Sequence, residues 1–489
     1  MTETMIKTTD AIAATMSKST VITITETISE PCVRRSTLPY TAAEIFALFA
    51  EEQNAAFLDS SLENNLGQYS IIGLVPYHEV NVEKGRLYVN GQYHPEKPET
   101  YLKTYLQNHQ RKNDTNLPLT DGAIGYVTYD YGMVETGLTS RHETKIIMPD
   151  MKWIFYDFFI IEDLKEHALW FIANGHTEPA PILLKKMEDL IAQRMANFQA
   201  PALTETYLLT IRPDCTPDEY TSALQKLIAY LIAGDVYVTN FTGTLTVDCA
   251  CPAYTFFSRL RRDNPSPFGA YLQYGFYQII SASMERLLRI DNRHIETRPI
   301  KGTRRRGKTP AEDAALRAEL AASQKDRSEL LMIVDLERND LNKICEPGSV
   351  AVPNLFSVED YASVFHLVSA VTGTLRPEQT AIDALTALFP GGSITGAPKQ
   401  RAMEIIDELE SSRRQLYTGT IGYLSLDGNC DFNIVIRTAV HQDNKYYIGL
   451  GGGITAESDR NFEYEEIWQK AKALLTALKG DIFDYEPYL

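Results

Sequence analysis

The stretch WIFYDFFIIED, residues 153–163, sets aromatic and β-branched side chains at period two, the repeat of a strand rather than of a helix. The same signature recurs in QYSIIGL (68–74), GRLYVNGQY (85–93) and GAIGYVTYD (122–130), all read as antiparallel strands. A helix over AAEIFALFAEEQ (42–53) and the segment PILLKKMEDLIAQRMANF (181–198) interrupt them. A polar stretch with Pro and Thr, residues 200–220, reads as a boundary. Beyond it comes a helix over 217–235, whose Asp218 and Glu219 suit the positive N-terminal end. Further strands (268–275, 276–283, 446–454) then alternate with helices (311–340, 397–412, 461–478). No repeat of 20–50 residues is visible. The mixture predicts an α+β fold built on large antiparallel sheets, not a regular βαβ array.

Composition narrows the class. Across 489 residues, 47 Lys and Arg face 64 Asp and Glu, a formal charge of −17. That excess argues against a general binder of nucleic acid or of anionic membranes, and it sets a problem for any anionic substrate. Six cysteines are scattered, and the only close pair, Cys249 and Cys251, has no matching second pair, so neither a zinc site nor structural disulfides are expected. No run approaches a membrane span, and the N-terminus lacks a secretory pattern, so a cytoplasmic location is expected. Residues 1–36, rich in Thr and Ser, read as a disordered extension.

One short motif competes for the chemistry. GTRRRGKT, residues 302–309, matches a phosphate-binding loop letter for letter; Lys308 would meet phosphates, Thr309 would hold Mg²⁺ and Asp335 would support the metal. Such a loop needs a buried strand before it, whereas RIDNRHIETRPIK is charged and contains Pro299.

Other constellations are open on spacing alone. Glu463 and Glu466 share a helical face and, with Glu329, either hold a hard divalent cation or form a solvated acidic surface. Lys470, four after Glu466, is a helix ion pair or a substrate contact. The glycines 451–453 either bare backbone amides to an anion or make a tight strand connection. His366 sits on an apolar run as a core histidine would, while a buried Arg437 on NIVIRTAV needs an anionic partner. Lys301 is a surface lysine, or a nucleophile if desolvation lowers its pKa.

Taken together and in order, PIKGTRRRG (299–307), KDRSELLMIVDLERND (325–340), FHLVSAVTG (365–373), FPGGSITGAPKQRAMEIIDELE (389–410), YTGTIGYLS (417–425), IRT (436–438), GGGIT (451–455) and EYEE (463–466) resemble the chorismate-utilising enzymes, component I of anthranilate and aminodeoxychorismate synthases. FLDSS (57–61), YSIIGLVP (69–76) and GAIGYVTYD extend the resemblance to the N-terminal half. It implies a two-subdomain sandwich of large antiparallel sheets with helices packed outside: an N-terminal region over 37–175 and a chorismate-binding catalytic domain over 215–475. Within the family, PIKGT, with Lys301, resembles the aminodeoxychorismate synthases, where anthranilate synthases carry Ala.

The resemblance also implies roles. Glu329 and Glu466, with Glu463, would hold Mg²⁺ against the ring carboxylate of chorismate. Lys301 would add to ring C2 while Glu285 protonates the departing C4 hydroxyl, with His366 assisting, and ammonia would then displace the lysine. That scheme needs a raised pKa at Glu285 and a lowered one at Lys301. Arg437, Tyr417 and the Gly451, Gly452 and Gly453 amides would hold the enolpyruvyl carboxylate, Lys470 would approach the ring carboxylate, and Thr395 would wall the site. No glutaminase motif is present, so ammonia is expected from a separate glutamine amidotransferase subunit, and a separate lyase is expected to act downstream. The chain departs from the family at Val238, Met284 and Arg305; Asp59 replaces the glutamate of feedback-regulated members, so inhibition by tryptophan is not expected.

Overall fold

The structure, a computed structural model, describes residues 30–361 and 364–483. Its organising elements are two long strands, Tyr69–Glu83 and Met151–Asp163, paired antiparallel along almost their whole length. The register slips once, between Pro76 and His78, beside Val75 with a left-handed φ of 57°. At that bend each strand passes from one sheet to the other.

Met151–Asp163 shows why its sequence is apolar on both faces. Ile154, Tyr156, Phe159 and Ile161 point into a core between the two sheets. On the opposite face Trp153 and Phe155 enter one helix-covered core, and beyond Asp157 Phe158 and Ile160 enter another. Its first half pairs with Gly122–Val127 and its second half with Ala168–Ala173. One sheet continues from Gly122–Val127 through Thr420–Ser425, Cys430–Asn433, Arg286–Asp291 and His294–Arg298 to Val364–Thr374. The other runs from Tyr69–Glu83 through Ala56–Asp59, Phe268–Gln273, Gln278–Ser283, Thr438–Gln442 and Lys445–Ile454 to Val238–Asp248. All these pairings are antiparallel, and the α+β sandwich with helices outside is as expected. N- and C-terminal segments interleave in both sheets, so the two regions share their cores.

Helices seal the outer faces. Pro217–Ala233, Ala253–Asp263 and Arg460–Lys479 cover one sheet; Gln324–Asn342 and Ala381–Leu388 help cover the other. Pro217–Ala233 begins with a Thr216/Glu219 capping box and stops at Gly234, whose φ of 83° suits glycine.

Four readings need correction. The strand read over 122–130 stops at Val127, because the Thr128 side chain accepts from the Tyr131 amide and caps the helix Tyr129–Glu135. The helix expected over 42–53 ends at Phe46, because the following amides bond three residues back (Leu48 to Ile45, Phe49 to Phe46) and tighten into turns. The single helix expected over 311–340 is two, split at Ser323, whose extended backbone caps the second by accepting from the Asp326 amide. Of the extension expected over 1–36, residues 1–29 lie outside the described residues, while Cys32–Arg35 is a strand paired with Trp170–Ala173. Half-buried Cys32 and Val33 give that strand an apolar contact the Thr-rich context hides.

Candidate active site

The strand Ile300–Arg305 and the helices Gln324–Asn342 and Arg460–Lys479 converge beside the strand Lys445–Ile454. Thr438–Gln442 stops pairing with it at Ile448, so from Gly449 onward only the Val238–Asp248 edge is paired. Gly451, Gly452 and Gly453 therefore lie in a strand with one open edge, not in a loop. At Gly451 the lack of a side chain is a spatial need, since a Cβ would come within 2.5 Å of Thr242 Cγ2 and 2.6 Å of Phe241 O; the other two glycines face the site's charged groups. A Cβ on Gly453 would lie 3.0 Å from Lys301 Nζ and 4.0 Å from Glu329 Oε2. One on Gly452 would lie 3.4 Å from both Glu463 Oε2 and Lys470 Nζ, and 3.6 Å from Glu466 Oε1.

Lys301 enters on the strand Ile300–Arg305, and its Nζ donates to the Ser393 carbonyl at 2.9 Å. Desolvation lowers its pKa, against the pull of Glu329 and Glu285. Buried Glu285 accepts from the Ile300 amide at 3.2 Å, and burial raises its pKa although Lys301 opposes the shift. The two groups are displaced in the directions an acid and an amine nucleophile require. His366 faces Thr303 across the ladder, Nδ1 to Oγ1 2.9 Å. Its buried Nε2 finds no hydrogen-bond partner among the described residues, and burial, with Arg437 nearby, pushes its pKa down to about 4. It is a neutral imidazole at physiological pH.

The anion-binding candidates lie on the other side. Arg437, with a left-handed φ of 52°, donates to the Lys470 carbonyl. Burial lowers its pKa, and Tyr417 and Glu466 counter that. The Tyr417 ring lies over Gly449, where a Cβ would come within 2.0 Å of Cγ. Lys470 Nζ sits 2.6 Å from Glu466 Oε1 and donates to Gly451 O at 2.7 Å. The Thr395 hydroxyl donates to Gly391 O at 2.8 Å and so braces the turn.

The carboxylates Glu329, Glu463 and Glu466 meet from two helices, although the described residues hold no group of three or more His, Cys, Asp or Glu close enough to hold a metal unaided. Their chemistry still fits a hard cation that keeps waters or substrate oxygens as further ligands. Glu329 Oε1 is buried without a hydrogen-bond partner among the described residues. Burial raises Glu329 and Glu463, while at Glu466 it is outweighed by Lys470, which pulls the pKa down.

The phosphate-loop reading fails on geometry. Residues 300–305 form an antiparallel strand with Val364–Thr374, not the buried parallel strand the motif needs. The loop amides are already taken: Gly307 N donates to Asp313 at 2.7 Å and Lys308 N to Glu312 at 2.7 Å. Thr309 caps the helix Pro310–Ala322, and Asp335 is exposed beside Arg338. Three residues that sequence reasoning missed border the site: Ser393, whose carbonyl holds Lys301; Lys325, 4.0 Å from Glu329 Oε1; and Glu337 beneath the Ser393 turn. Only Glu337 left a signal, as a further step of four along the buried ridge Glu329, Ile333.

A desolvated amine between carboxylic acids, with a half-buried arginine nearby, is chemistry suited to a small anionic molecule. The chain belongs to the chorismate binding enzymes, whose family it matches over residues 50–476. It is 36% identical over 433 residues to anthranilate synthase component 1 of Lactococcus lactis subsp. lactis (strain IL1403), covering 86% of this chain and 94% of that protein. It is 40% identical over 373 residues to aminodeoxychorismate synthase component 1 of Klebsiella aerogenes, covering 76% and 80% respectively. The crystal structure of anthranilate synthase component I from Streptococcus pneumoniae TIGR4 superposes with a TM-score of 0.76 at 33% identity, covering 84% of this chain and 93% of that one. The family and fold read from the motifs are borne out. No helix among the described residues is long and apolar enough to cross a membrane.

Proposed function

We propose that this chain acts as component I of an aminodeoxychorismate synthase, converting chorismate and ammonia to 4-amino-4-deoxychorismate for p-aminobenzoate and folate synthesis in the cytoplasm. The observation that carries the reading is Lys301, a desolvated amine beside the buried acid Glu285. Lys301, neutral, adds to ring C2 as the C4 hydroxyl leaves with a proton from Glu285. The added nitrogen keeps its extra proton, so it can leave later as a neutral amine, and the ammonium formed at C4 returns a proton to Glu285. Ammonia attacks C4, the C2–N bond breaks, and the amine leaves as Lys301 again, so the net change is water for ammonia. His366, neutral and with Nε2 free to bond, steadies the leaving hydroxyl. Arg437, Tyr417 and the open edge at Gly451–Gly453 bind the enolpyruvyl carboxylate, and Lys470 meets the ring carboxylate. Glu329, Glu466 and Glu463 would hold Mg²⁺, which when bound supplies positive charge for the ring carboxylate. On this reading residues 215–475 carry the chemistry and 37–175 complete the sandwich, a separate glutamine amidotransferase subunit delivers ammonia, and a separate lyase consumes the product.

Anthranilate synthesis is the second reading, supported by relatives of that name at similar identity. Incubating the protein with chorismate, Mg²⁺ and ammonium, with and without an aminodeoxychorismate lyase, separates them. The proposal expects p-aminobenzoate only when the lyase is added; fluorescent anthranilate without lyase would overturn it.

A further inference from the structure

Glu337 lies deep beneath the turn Gly391–Thr395, on the helix that also carries Glu329. A buried carboxyl is costly to the fold unless its oxygens are well bonded. Here the bonds are few: Oε1 accepts from the Gly392 amide at 3.0 Å, and Oε2 stands 3.5 Å from the Thr297 hydroxyl. The approach to Gly392 is close: a Cβ there would lie 2.8 Å from Leu336 Cδ2 and 2.9 Å from Glu337 Oε1, and those side chains would have to shift. The next residue, Ser393, offers the carbonyl that receives the Lys301 amine at 2.9 Å. Thr395 closes the same turn through Gly391. A leucine would fill the space of Glu337 without burying a charge, so the carboxyl is not explained by packing.

We propose that Glu337 is a positioning residue: by holding the Gly392 amide it sets the Ser393 carbonyl and thereby aims the amine of Lys301. This rests on the role given to Lys301 above. The groups facing Glu337 are Lys399 on the neighbouring helix, Asp340 on its own helix and Glu285 from the sheet side. Burial is the largest influence, Lys399 opposes it, Asp340 and Glu285 add to it, and the carboxyl is pushed up to about 7. Lys399 is shared, its Nζ lying 2.7 Å from Asp340 Oδ2. The ionised carboxylate makes the stronger, charge-assisted bond to Gly392, so the grip on the turn tightens as pH rises through neutrality.

The test compares full-length wild type with Glu337→Leu and Glu337→Gln in two assays. One follows chorismate consumption. The other, without substrate, follows labelling of Lys301 by an amine-reactive reagent, read by mass spectrometry of its peptide. Glu337→Leu is expected to lower kcat by about tenfold or more with KM changed less than about twofold. Glu337→Gln, which still accepts from Gly392, should recover most of that loss but lack the inflection near pH 7 of the wild-type kcat profile. Glu337→Leu should also change the Lys301 labelling rate several-fold. Labelling does not depend on which product forms, so a labelling change in a protein that turns over no chorismate would sink the proposed function and uphold the positioning role. Wild-type labelling in Glu337→Leu, or equal kcat losses in the Leu and Gln variants, would overturn it. Should Glu337→Leu fail to fold, Glu337→Asp withdraws the carboxyl by one methylene and carries the same comparison.

Discussion

Two buried charge clusters meet at the Gly391–Thr395 turn and differ in one respect. Within the Glu410–Arg414 pair, both almost fully buried, the charged side-chain atoms are all engaged: Glu410 accepts from the Thr242 amide and hydroxyl and, at both oxygens, from Arg414. Arg414 also donates to Ile394 O at 2.7 Å and Asn240 O at 2.6 Å. Around Lys301 the accounts do not close, since Glu329 Oε1 and His366 Nε2 are buried with no hydrogen-bond partner among the described residues. A saturated cluster fixes the fold. An unsaturated one keeps bonding capacity for a ligand, at a cost in stability that the saturated neighbour helps to offset.

Breaking each cluster should therefore read out differently. Lys301→Ala is expected to lower chorismate turnover by roughly a thousandfold or more while leaving thermal unfolding close to wild type; activity within tenfold of wild type would remove the nucleophile role. Arg414→Met strands the Glu410 carboxylate and should cost about 3–5 kcal/mol in denaturant unfolding, part of which a second change, Glu410→Leu, should restore. If the single change is silent, the saturated cluster is not structural.

The pH profile sharpens the contrast. Lys301, lowered by burial, must be neutral, so turnover falls as pH drops below its pKa; Glu285, raised by burial, must be protonated, so turnover falls as pH climbs above its own. A bell-shaped kcat/KM is expected, and Glu285→Gln should lose the alkaline limb together with most of the rate. The smallest effect concerns stability at Glu337. Its carboxyl ionises near 4.5 in the unfolded chain but only at about 7 in the fold, so the folded protein holds the extra proton between those values. Stability therefore declines as pH rises across that window, and the penalty is complete above it. Glu337→Gln should raise the melting temperature more at pH 8 than at pH 4, and an equal change at both would show that the carboxyl is not strained.

Much of this molecule was legible in one dimension. The apolar repeat of 153–163 announced strands, and the spacing of Glu463, Glu466 and Lys470 placed them on one helical face, where they are found. Reading Ser323 as mid-helix failed because a cap is set by backbone angles that composition does not reveal. Gly451–Gly453 read as an amide cradle or a tight connection; in the fold they lie in a strand, where a Cβ on Gly451 would clash with Phe241 O and Thr242, while Gly452 and Gly453 face Glu463, Lys470 and Lys301. GTRRRGKT is already disfavoured by the charged, Pro-containing segment before it, and the fold adds a reason: the Gly307 and Lys308 amides are spent on Asp313 and Glu312.

Periodicity and charge follow from local backbone geometry, so they reached the strands, the helices and the residue types fit for chemistry without help from the fold. Site assembly does not. Lys301, Glu329, Glu466 and Arg437 are separated by tens of residues, and only the pairing of their strands and helices places them around one strand edge. The same holds for their ionisation. A lysine and a glutamate carry ordinary pKa values in the unfolded chain, and it is removal from water beside each other that moves one down and the other up.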